Sequence, residues 1–236
     1  MTMLSGMLLI NKPPGVTSHD VVQVVRRKLG VRRVGHTGTL DPIAEGLLIL
    51  LVGPATRFQR TFQAHEKTYE ATLRLGTQTD TADAAGQPIR TAPIPPLERD
   101  RIAQVLAAFC GPLSQTPPAY SAVKVKGRPA YWWTRRHTPL TLPPRIVHLA
   151  EVILLDADAE TVTFRVRCSA GTYVRTLAET IAERLGSVGH LAHLVRLRIG
   201  EWTLEEAVTL SWVQDASPPL IAAQLKPCES SQALAP

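Results

Sequence analysis

The strongest constraint on the fold of this chain is an uninterrupted apolar segment at residues 47–52, Leu-Leu-Ile-Leu-Leu-Val, bounded by Gly46 and Gly53. A helix that spans a bilayer needs about 20 apolar residues, so this segment is too short to cross a membrane. A short apolar run between two glycines is typical of a β-strand that is buried on both faces. The segment therefore predicts a sheet at the centre of a folded core, and no membrane partner.

The composition places this strand in an ordinary globular protein with a basic surplus. The chain has 236 residues, 44% of them hydrophobic and 19% charged, which is enough to bury a sizeable core. Lys and Arg number 26 against 20 Asp and Glu, a net charge of +6 that suits a polyanionic partner. The three cysteines are far apart and form no CxxC pair, which argues against a disulfide framework and a structural zinc site. With no signal-peptide pattern at the N-terminus, we expect a cytoplasmic protein.

The remaining periodicity predicts an α+β fold. We expect a mixed, largely antiparallel central sheet with flanking helices and inserted loops, because strands and helices do not alternate strictly. The first helix has Ser18 as its expected N-cap and Gly30 as its closing residue. After about residue 217 the composition turns polar and Pro-rich, so the chain is expected to fray. Predicted strands occupy residues 7–10, 67–75, 119–126, 146–155 and 161–168, and the other predicted helices occupy residues 97–109, 129–136 and 172–185.

The Gly-punctuated loop at residues 35–46 contains the first candidate for chemistry. It has neither a phosphate-loop pattern nor GxGxxG spacing, so nothing in it favours a nucleotide cofactor. Asp41 precedes Pro42, and a residue before proline avoids the α region, so Asp41 is expected in an extended conformation at the end of the loop. Asp41 is either a catalytic carboxylate or a turn cap, and the spacing leaves both interpretations open.

The histidines and the acidic loop at residues 76–86 do not form a metal-ligand pattern. His36 is a candidate acid, base or ligand, although a histidine that orders a loop by hydrogen bonding is more common. His190 and His193 are three residues apart with no third ligand nearby. Asp80 and Asp83 lack the rest of a cation-loop pattern and are predicted to be polar turn residues.

Aromatic and basic residues are interleaved near residues 120–136. This mixture suits a nucleic-acid surface that combines phosphate neutralisation with base stacking, and it equally suits a helix that buries two aromatic rings. Arg175 is similarly open, as a solvated helix-start residue or as the partner of a buried carboxylate. The interleaved residues are Tyr120, Tyr131, Trp132, Trp133, Lys124, Lys126, Arg128, Arg135 and Arg136.

Six segments together resemble the TruB-type tRNA pseudouridine synthases. The resemblance follows the family order over residues 8–210, and six ordered segments are far more specific than any one of them. The segments are Leu-Leu-Ile-Asn-Lys-Pro-Pro-Gly-Val-Thr-Ser at 8–18, the loop at 35–48, Arg-Leu-Gly-x-x-Thr-Asp-Thr-x-Asp-x-x-Gly at 74–86, Pro-Pro-Ala-Tyr-Ser-Ala-Val-Lys-Val-Lys-Gly at 117–127, Cys-Ser-Ala-Gly-Thr-Tyr-Val-Arg-Thr at 168–176 and Leu-Val-Arg-Leu-Arg-Ile-Gly at 194–200.

The resemblance implies the pseudouridine synthase fold and the isomerisation of uridine 55 in the T loop of tRNA. No cofactor or metal is implied, the expected partner is the T arm of tRNA, and we expect a monomer. The resemblance leaves open whether the nucleophile attacks C6 of the base or C1′ of the sugar. The implied site residues are Asp41 as nucleophile, Arg175 as its partner, Tyr173 as an active-site tyrosine, His36 as the residue that helps flip the nucleotide, Tyr69 as a stacking residue and Leu194 as part of the uracil pocket.

The sequence also predicts the domain organisation, and two alternative functions are weighed against it. The catalytic domain is expected at residues 1–210, and residues 211–236 are too few for the RNA-binding PUA domain with which many bacterial relatives end. One alternative is an RNA-binding or tRNA-folding protein of the same fold whose catalysis is secondary. A glycosidase ranks low, because it needs two carboxylates and Glu45 is the only second acid close to Asp41 in sequence.

Overall fold

The computed structural model describes residues 4–121, 123–136, 138 and 140–228. The described chain divides into two compact units. Unit 1 contains the residues up to Tyr69 and from Val195 onward, and unit 2 is Glu70–Leu194. Each unit combines strands and helices, which confirms the α+β prediction.

The elements are numbered along the chain. The strands are β1 (Gly6–Lys12), β2 (Val34–His36), β3 (Glu45–Val52), β4 (Lys67–Leu75), β5 (Thr77–Thr79), β6 (Pro88–Thr91), β7 (Gly111–Gln115), β8 (Lys124–Val125), β9 (Arg128–Pro129), β10 (Arg145–Ala157), β11 (Thr161–Cys168), β12 (Gly189–Ile199), β13 (Trp202–Thr203) and β14 (Val208–Thr209). The helices are α1 (Ser18–Leu29), α2 (Gln59–Ala64), α3 (Arg99–Ala107), α4 (Ala130–Thr134), α5 (Val174–Arg184), α6 (Leu210–Asp215) and α7 (Pro218–Ala223), with 3₁₀ turns at Gly53–Phe58 and Leu204–Glu206.

The sheet of unit 1 is built around β3, the apolar segment that dominates the sequence. Strand β1 pairs antiparallel with β3 over seven residue pairs, from Gly6↔Val52 to Lys12↔Gly46. On its other side β3 pairs in parallel with β12, at Val195↔Glu45 and Arg196↔Gly46. A strand with neighbours on both edges and a covered face on each side has no contact with water, which explains its continuous run of apolar residues.

Aromatic packing closes the core of unit 1. Phe62 of α2 stacks on Trp202 of β13, with ring centroids 4.8 Å apart. Both rings belong to the cluster that includes Leu47, Ile49 and Leu51 of β3. Each such fully buried side chain contributes about 1.5–3 kcal/mol to the stability of the fold.

Helix α1 is held at both ends by its own sequence. Thr17 is the N-cap and forms a capping box with Asp20, while Gly30 closes the helix in the left-handed conformation at φ +64°. The expected cap, Ser18, is instead the first helical residue, because its side chain is taken up by the loop described below.

Unit 2 is organised around an antiparallel group in the order β4, β11, β10 and β7. The strands predicted at residues 146–155 and 161–168 are confirmed, and β10 and β11 pair antiparallel as a hairpin from Leu149↔Cys168 to Ala157↔Val162. The strand predicted at residues 67–75 is also confirmed: alternate residues of β4, among them Ala71, Leu73 and Leu75, are buried. Helix α5 buries Leu177, Ala178 and Ile181 within the unit.

Two further sequence predictions are wrong. Of the strand expected at residues 119–126, the described residues retain β8, which pairs with β9, because residues 119–121 form bends and residues 126 and 127 form a turn. The fraying expected after residue 217 does not occur up to residue 228. Helix α7 buries Ile221, and the backbone of Lys226 exchanges two 2.9 Å hydrogen bonds with Met7 of β1. Residues 229–236 of the expected tail lie outside the described residues.

Candidate active site

The loop that contains Asp41 joins β2 to β3 in unit 1 and is pinned at several points. Ser18 holds Leu40 from both sides, because its Oγ donates to Leu40 O at 3.1 Å and accepts from Leu40 N at 2.8 Å. The Asp41 carbonyl accepts from Ala44 N at 3.1 Å, and the Pro42 carbonyl accepts from Gly15 N at 2.8 Å. The backbone on both sides of Asp41 is therefore fixed by the start of α1 and by the loop itself.

The side chain of Arg196 on β12 braces the same loop through hydrogen bonds. Its side chain is 1% exposed, and its guanidinium donates from Nε to Leu47 O at 2.7 Å and from Nη2 to Gly38 O at 3.1 Å, with a longer contact from Nη1 to Thr39 O at 3.4 Å. One planar group thus ties the strand after the loop to the residues just before Asp41.

Gly46 makes the close approach of β12 possible. Its φ is +102°, and a Cβ at this position would lie 2.4 Å from the Arg196 carbonyl oxygen. Any side chain there would push Arg196 away from the loop, so the glycine is a steric requirement of the brace.

A second buried cation, Lys12 at the end of β1, lies near Asp41. Its Nζ donates to Pro13 O and to Val16 O, each at 2.9 Å. Burial lowers the pKa of Lys12 from 10.5 to about 8; the negative charge of Asp41 opposes that shift, and the positive charge of Arg196 adds to it. The charges of Lys12 and Asp41 therefore lie close enough to attract each other.

His36 and Tyr69 complete the predicted residues of unit 1. Burial lowers the pKa of His36 below its usual 6.5, and the positive charges of Arg196 and His19 lower it further. The imidazole is therefore neutral at pH 7, and its buried Nδ1 has no hydrogen-bond partner among the described residues. Gln59 Nε2 donates to the His36 carbonyl at 2.9 Å, which fixes the end of β2. Tyr69 lies on the buried face of β4.

In unit 2, Arg175 is the centre of a buried polar network. Its Nη1 donates to Thr81 O and its Nη2 to Tyr120 O, both at 2.8 Å. Nη1 also lies 3.7 Å from Asp83 Oδ2, and both residues are only 5% exposed. Of the two interpretations open for Arg175, the structure thus supports the partner of a buried carboxylate. The pairing of Arg175 with Asp41 that the resemblance implies stays a prediction.

The structure corrects the prediction made for Asp83. It was predicted to be a polar turn residue like Asp80, and it does order the turn, since its Oδ1 accepts from Thr81 Oγ1 at 2.6 Å and from Ala85 N at 3.1 Å. However, it is buried and carries the ion pair with Arg175. Asp80 remains an exposed turn residue that accepts from Gln87 N at 2.8 Å.

Tyr173 is positioned through its backbone. It is the residue that precedes α5. The side-chain amide of Gln115 forms two hydrogen bonds with its backbone, accepting from Tyr173 N at 3.1 Å and donating to Tyr173 O at 3.3 Å. The side chain of Tyr173 is half-buried. Leu194, near the end of unit 2 on β12, is buried.

The two histidines of β12 do not belong to a metal centre within the described residues. His190 is buried and its Nδ1 forms a 2.7 Å hydrogen bond with Thr77 O. Across residues 4–121, 123–136, 138 and 140–228, no three His, Cys, Asp or Glu side chains are grouped closely enough to hold a metal ion. No helix in that part of the chain is both long and apolar enough to span a membrane.

The basic and aromatic residues near α4 combine both of their interpretations. Trp132 and Trp133 pack edge to face with centroids 4.8 Å apart and are half-buried. Their outer side is cationic, since the Arg136 guanidinium lies 3.7 Å from the Trp132 centroid and Arg135 lies 5.6 Å from that of Tyr131. Tyr131 is 41% exposed, so the helix buries part of its aromatic surface and presents the rest beside cations.

The sequence did not indicate the burial of three charged residues: Lys12 and Arg196 near the Asp41 loop in unit 1, and Asp83 beside Arg175 in unit 2. Lys12 ends a strand that begins with an apolar run, and Arg196 lies between Val195 and Leu197; a charged residue beside apolar strand residues is the signal that could have identified them. Asp83 gives no comparable signal, because an aspartate in a polar turn is ordinary.

Comparison with known proteins identifies the class. Residues 26–174 match the family described as TruB family pseudouridylate synthase (N terminal domain), a class of isomerase. The chain is 47% identical over 212 residues to the tRNA pseudouridine synthase B of Syntrophus aciditrophicus, covering 90% of this chain and 68% of the relative. It is 42% identical over 224 residues to the protein of that name from Opitutus terrae, covering 95% and 93% of the two chains.

A solved structure shares the fold. A chain in the crystal structure of a Cbf5-Nop10-Gar1 complex superposes with a TM-score of 0.72 at 28% identity, covering 97% of this chain. This chain spans 61% of that longer one. The chain therefore belongs to the TruB family, which confirms the resemblance recognised in the sequence.

Proposed function

We propose that this chain converts uridine 55 in the T loop of tRNA to pseudouridine, with Asp41 as the nucleophile. Two relatives that it matches over most of their length are named tRNA pseudouridine synthase B. The net charge of +6 and the Arg135 guanidinium beside the exposed ring of Tyr131 suit an RNA partner. The observation that carries the assignment to Asp41 is the bracing of its loop by Ser18 and Arg196, which fixes the backbone next to a carboxylate whose charge acts on the buried Lys12.

The reaction needs a carboxylate of this kind. The bond between uracil N1 and ribose C1′ breaks, the ring turns, and C5 bonds to C1′ instead. A carboxylate nucleophile holds the intermediate covalently while the ring turns. The proton leaves C5 and a proton is gained at N1, so the reaction is an isomerisation that consumes no oxidant and no phosphate donor. Tyr173 is the proposed group for the proton transfer.

The remaining predicted residues are proposed to bind or position the nucleotide. Tyr69 stacks on the flipped base, which offsets part of the cost of about a few kcal/mol for leaving the RNA stack. His36 orders the flipped nucleotide as a neutral imidazole, because its pKa lies below the usual range. Leu194 lines the uracil pocket, and Arg175 acts through the charge and hydrogen bonds that Asp83 holds in place.

We extend the proposal to organisation and location. The catalytic function belongs to residues 1–210, the protein acts as a monomer on the T arm, and it works in the cytoplasm without a cofactor or metal.

The test is incubation with an unmodified tRNA transcript, followed by nucleoside analysis and mapping of the modified position. The parent chain is expected to form one pseudouridine, at position 55. Asp41→Asn is expected to abolish it while retaining tRNA affinity, because the amide keeps the shape but is no nucleophile. Asp158→Asn, at an exposed turn where Asp158 caps Thr161 N, is the matched control.

The alternative of an RNA-folding protein predicts the opposite pattern. In that case Asp41→Asn and the parent would refold a misfolded tRNA equally well. The parent itself would convert far less than one equivalent of tRNA. Full turnover by Asp41→Asn, with deamidation excluded by mass spectrometry, would remove Asp41 from the proposed role.

A further inference from the structure

A run of basic side chains surrounds the C-terminal end of α1 and takes no part in the proposed chemistry. Between Asp20 and Asp41 the sequence contains no acidic residue. The five cations of this stretch are Arg26, Arg27, Lys28, Arg32 and Arg33. Such a run presents a single sign of charge to any ligand that approaches.

These side chains border a groove of about 380 Å³, here called the arginine groove, lined by Gln23, Arg26, Arg27, Gly30, Val31 and Arg32. Arg26 forms its inner wall, because its Nη2 donates to Val34 O at 2.8 Å and its Nε is buried with no hydrogen-bond partner among the described residues. Arg27 and Arg32 are exposed. The groove therefore combines one anchored guanidinium with two that are free to turn toward a ligand.

No carboxylate neutralises the arginine groove. Within the described part of the chain, none of the five cations forms an ion pair. Exposed arginines of unit 2 behave differently: Arg74 pairs with Glu160 at 3.1 Å and Arg99 with Asp156 at 3.8 Å. Positive charges gathered without partners repel one another, and an external anion relieves that repulsion.

The helix dipole explains only part of the cluster. Cations in the last turn of α1 favour the negative end of the helix, which accounts for Arg26, Arg27 and Lys28. Arg32 lies beyond the closing residue Gly30, where this effect has faded. A helix-capping role therefore gives no reason for Arg32 to line the same groove as Arg27.

We infer that the arginine groove binds the phosphodiester backbone of the RNA substrate, at nucleotides other than the one that is isomerised. This inference rests on the proposed function for the identity of the RNA. Two free guanidinium forks and the absence of neutralising carboxylates fit phosphate oxygens, which accept paired hydrogen bonds from arginine. The groove has no aromatic or other flat apolar lining residue for a base to stack on, so it would read the backbone and not the sequence.

The test compares two double variants that each remove two positive charges. Arg27→Gln/Arg32→Gln empties the groove of its free cations and leaves Arg26 in place. Arg74→Gln/Arg99→Gln is the matched control, since it removes two exposed arginines that already have carboxylate partners. The dissociation constant of unmodified tRNA is measured at several salt concentrations, together with turnover at saturating tRNA.

The groove variant is expected to bind tRNA about 10-fold more weakly at low salt and to lower the slope of log K against log salt by about 1 to 2. Its turnover at saturating tRNA should match that of the parent, and the control should change affinity by less than about twofold. Equal affinities and slopes for the two double variants would overturn the inference. Arg32→Gln alone, outside the helix, repeats the test if thermal melting shows that the double variant loosens α1.

Two further measurements, of vesicle binding and of pseudouridine formation, distinguish RNA binding by the groove from membrane binding and from the proposed function. If the groove variant loses binding to vesicles of phosphatidylglycerol and phosphatidylcholine but keeps its tRNA affinity, the groove serves a membrane and the inference is wrong. If the groove variant binds tRNA more weakly than the parent, and the parent forms no pseudouridine in any tRNA, RNA binding by the arginine groove is supported and the proposed function is wrong.

Discussion

Replacing Arg196 by lysine tests whether the brace under the Asp41 loop matters for catalysis. Lysine keeps the positive charge but offers its donors from one point, whereas the guanidinium reaches Leu47 O at 2.7 Å and Gly38 O at 3.1 Å from two separate nitrogens. One of these two carbonyls is left without its partner. A hydrogen bond from a charged donor contributes about 1.5–3 kcal/mol, so the free energy of unfolding should fall by about 2–3 kcal/mol.

The effect on rate should be larger than the effect on binding. Gly38 is three residues before Asp41, and a release of its carbonyl lets the carboxylate drift. A displacement of about 1 Å costs about 100-fold in rate, so kcat should fall by about that factor while KM stays within a few-fold. Isomerisation releases the C5 hydrogen of uracil, so tritium release from tRNA labelled at C5 of uridine measures both constants, and urea titration measures stability.

Arg198→Lys is the control for the same strand. Arg198 is exposed, and its Nε donates only to Gly200 O at 2.7 Å, so its loss should leave kcat and stability within about twofold and 0.5 kcal/mol. If Arg196→Lys retained the kcat of this control while losing stability, the brace would serve the fold alone and the reasoning from loop position to rate would be wrong.

Three further predictions address other parts of the site. Asp83→Asn leaves Arg175 buried without its ion pair, so the free energy of unfolding should fall by about 3 kcal/mol in urea titration, and a loss no greater than that of Asp80→Asn would refute the pairing. The pKa of Lys12 is about 8 when folded and 10.5 when unfolded, so the unfolded chain binds more protons between these values and stability should rise with pH there, by about 1.4 kcal/mol per pH unit. Lys12→Met should lack that rise, and parallel stability curves for the two proteins would contradict the burial of the charge. Tyr69→Ala should lower turnover at saturating tRNA by about 5- to 150-fold, since stacking contributes about 1–3 kcal/mol per base, whereas Tyr69→Phe should not; equal rates for all three proteins would exclude stacking.

Much of the fold follows from local sequence. The apolar run of β3, the ends of α1 near Ser18 and at Gly30, and the hairpin of β10 and β11 are encoded by neighbouring residues, and the structure confirms each within a few positions. The strand expected at residues 119–126 was wrong because a strand pattern forms a long strand only where neighbouring segments pair with it.

The sequence by itself determined the family and the loop that carries Asp41, since both depend on motifs of adjacent residues. It could not determine which charged residues are buried within each unit. Arg196 reaches Leu47 across 149 residues, and Arg175 reaches Thr81 across 94. Whether a charged residue faces water or a set of buried carbonyls depends on strand pairing between distant segments, and the cost of burying a charge is met only after that pairing brings the partner groups together. For that reason only the tertiary structure showed that Lys12 and Arg196 are buried near the Asp41 loop in unit 1, and that Asp83 is buried beside Arg175 in unit 2.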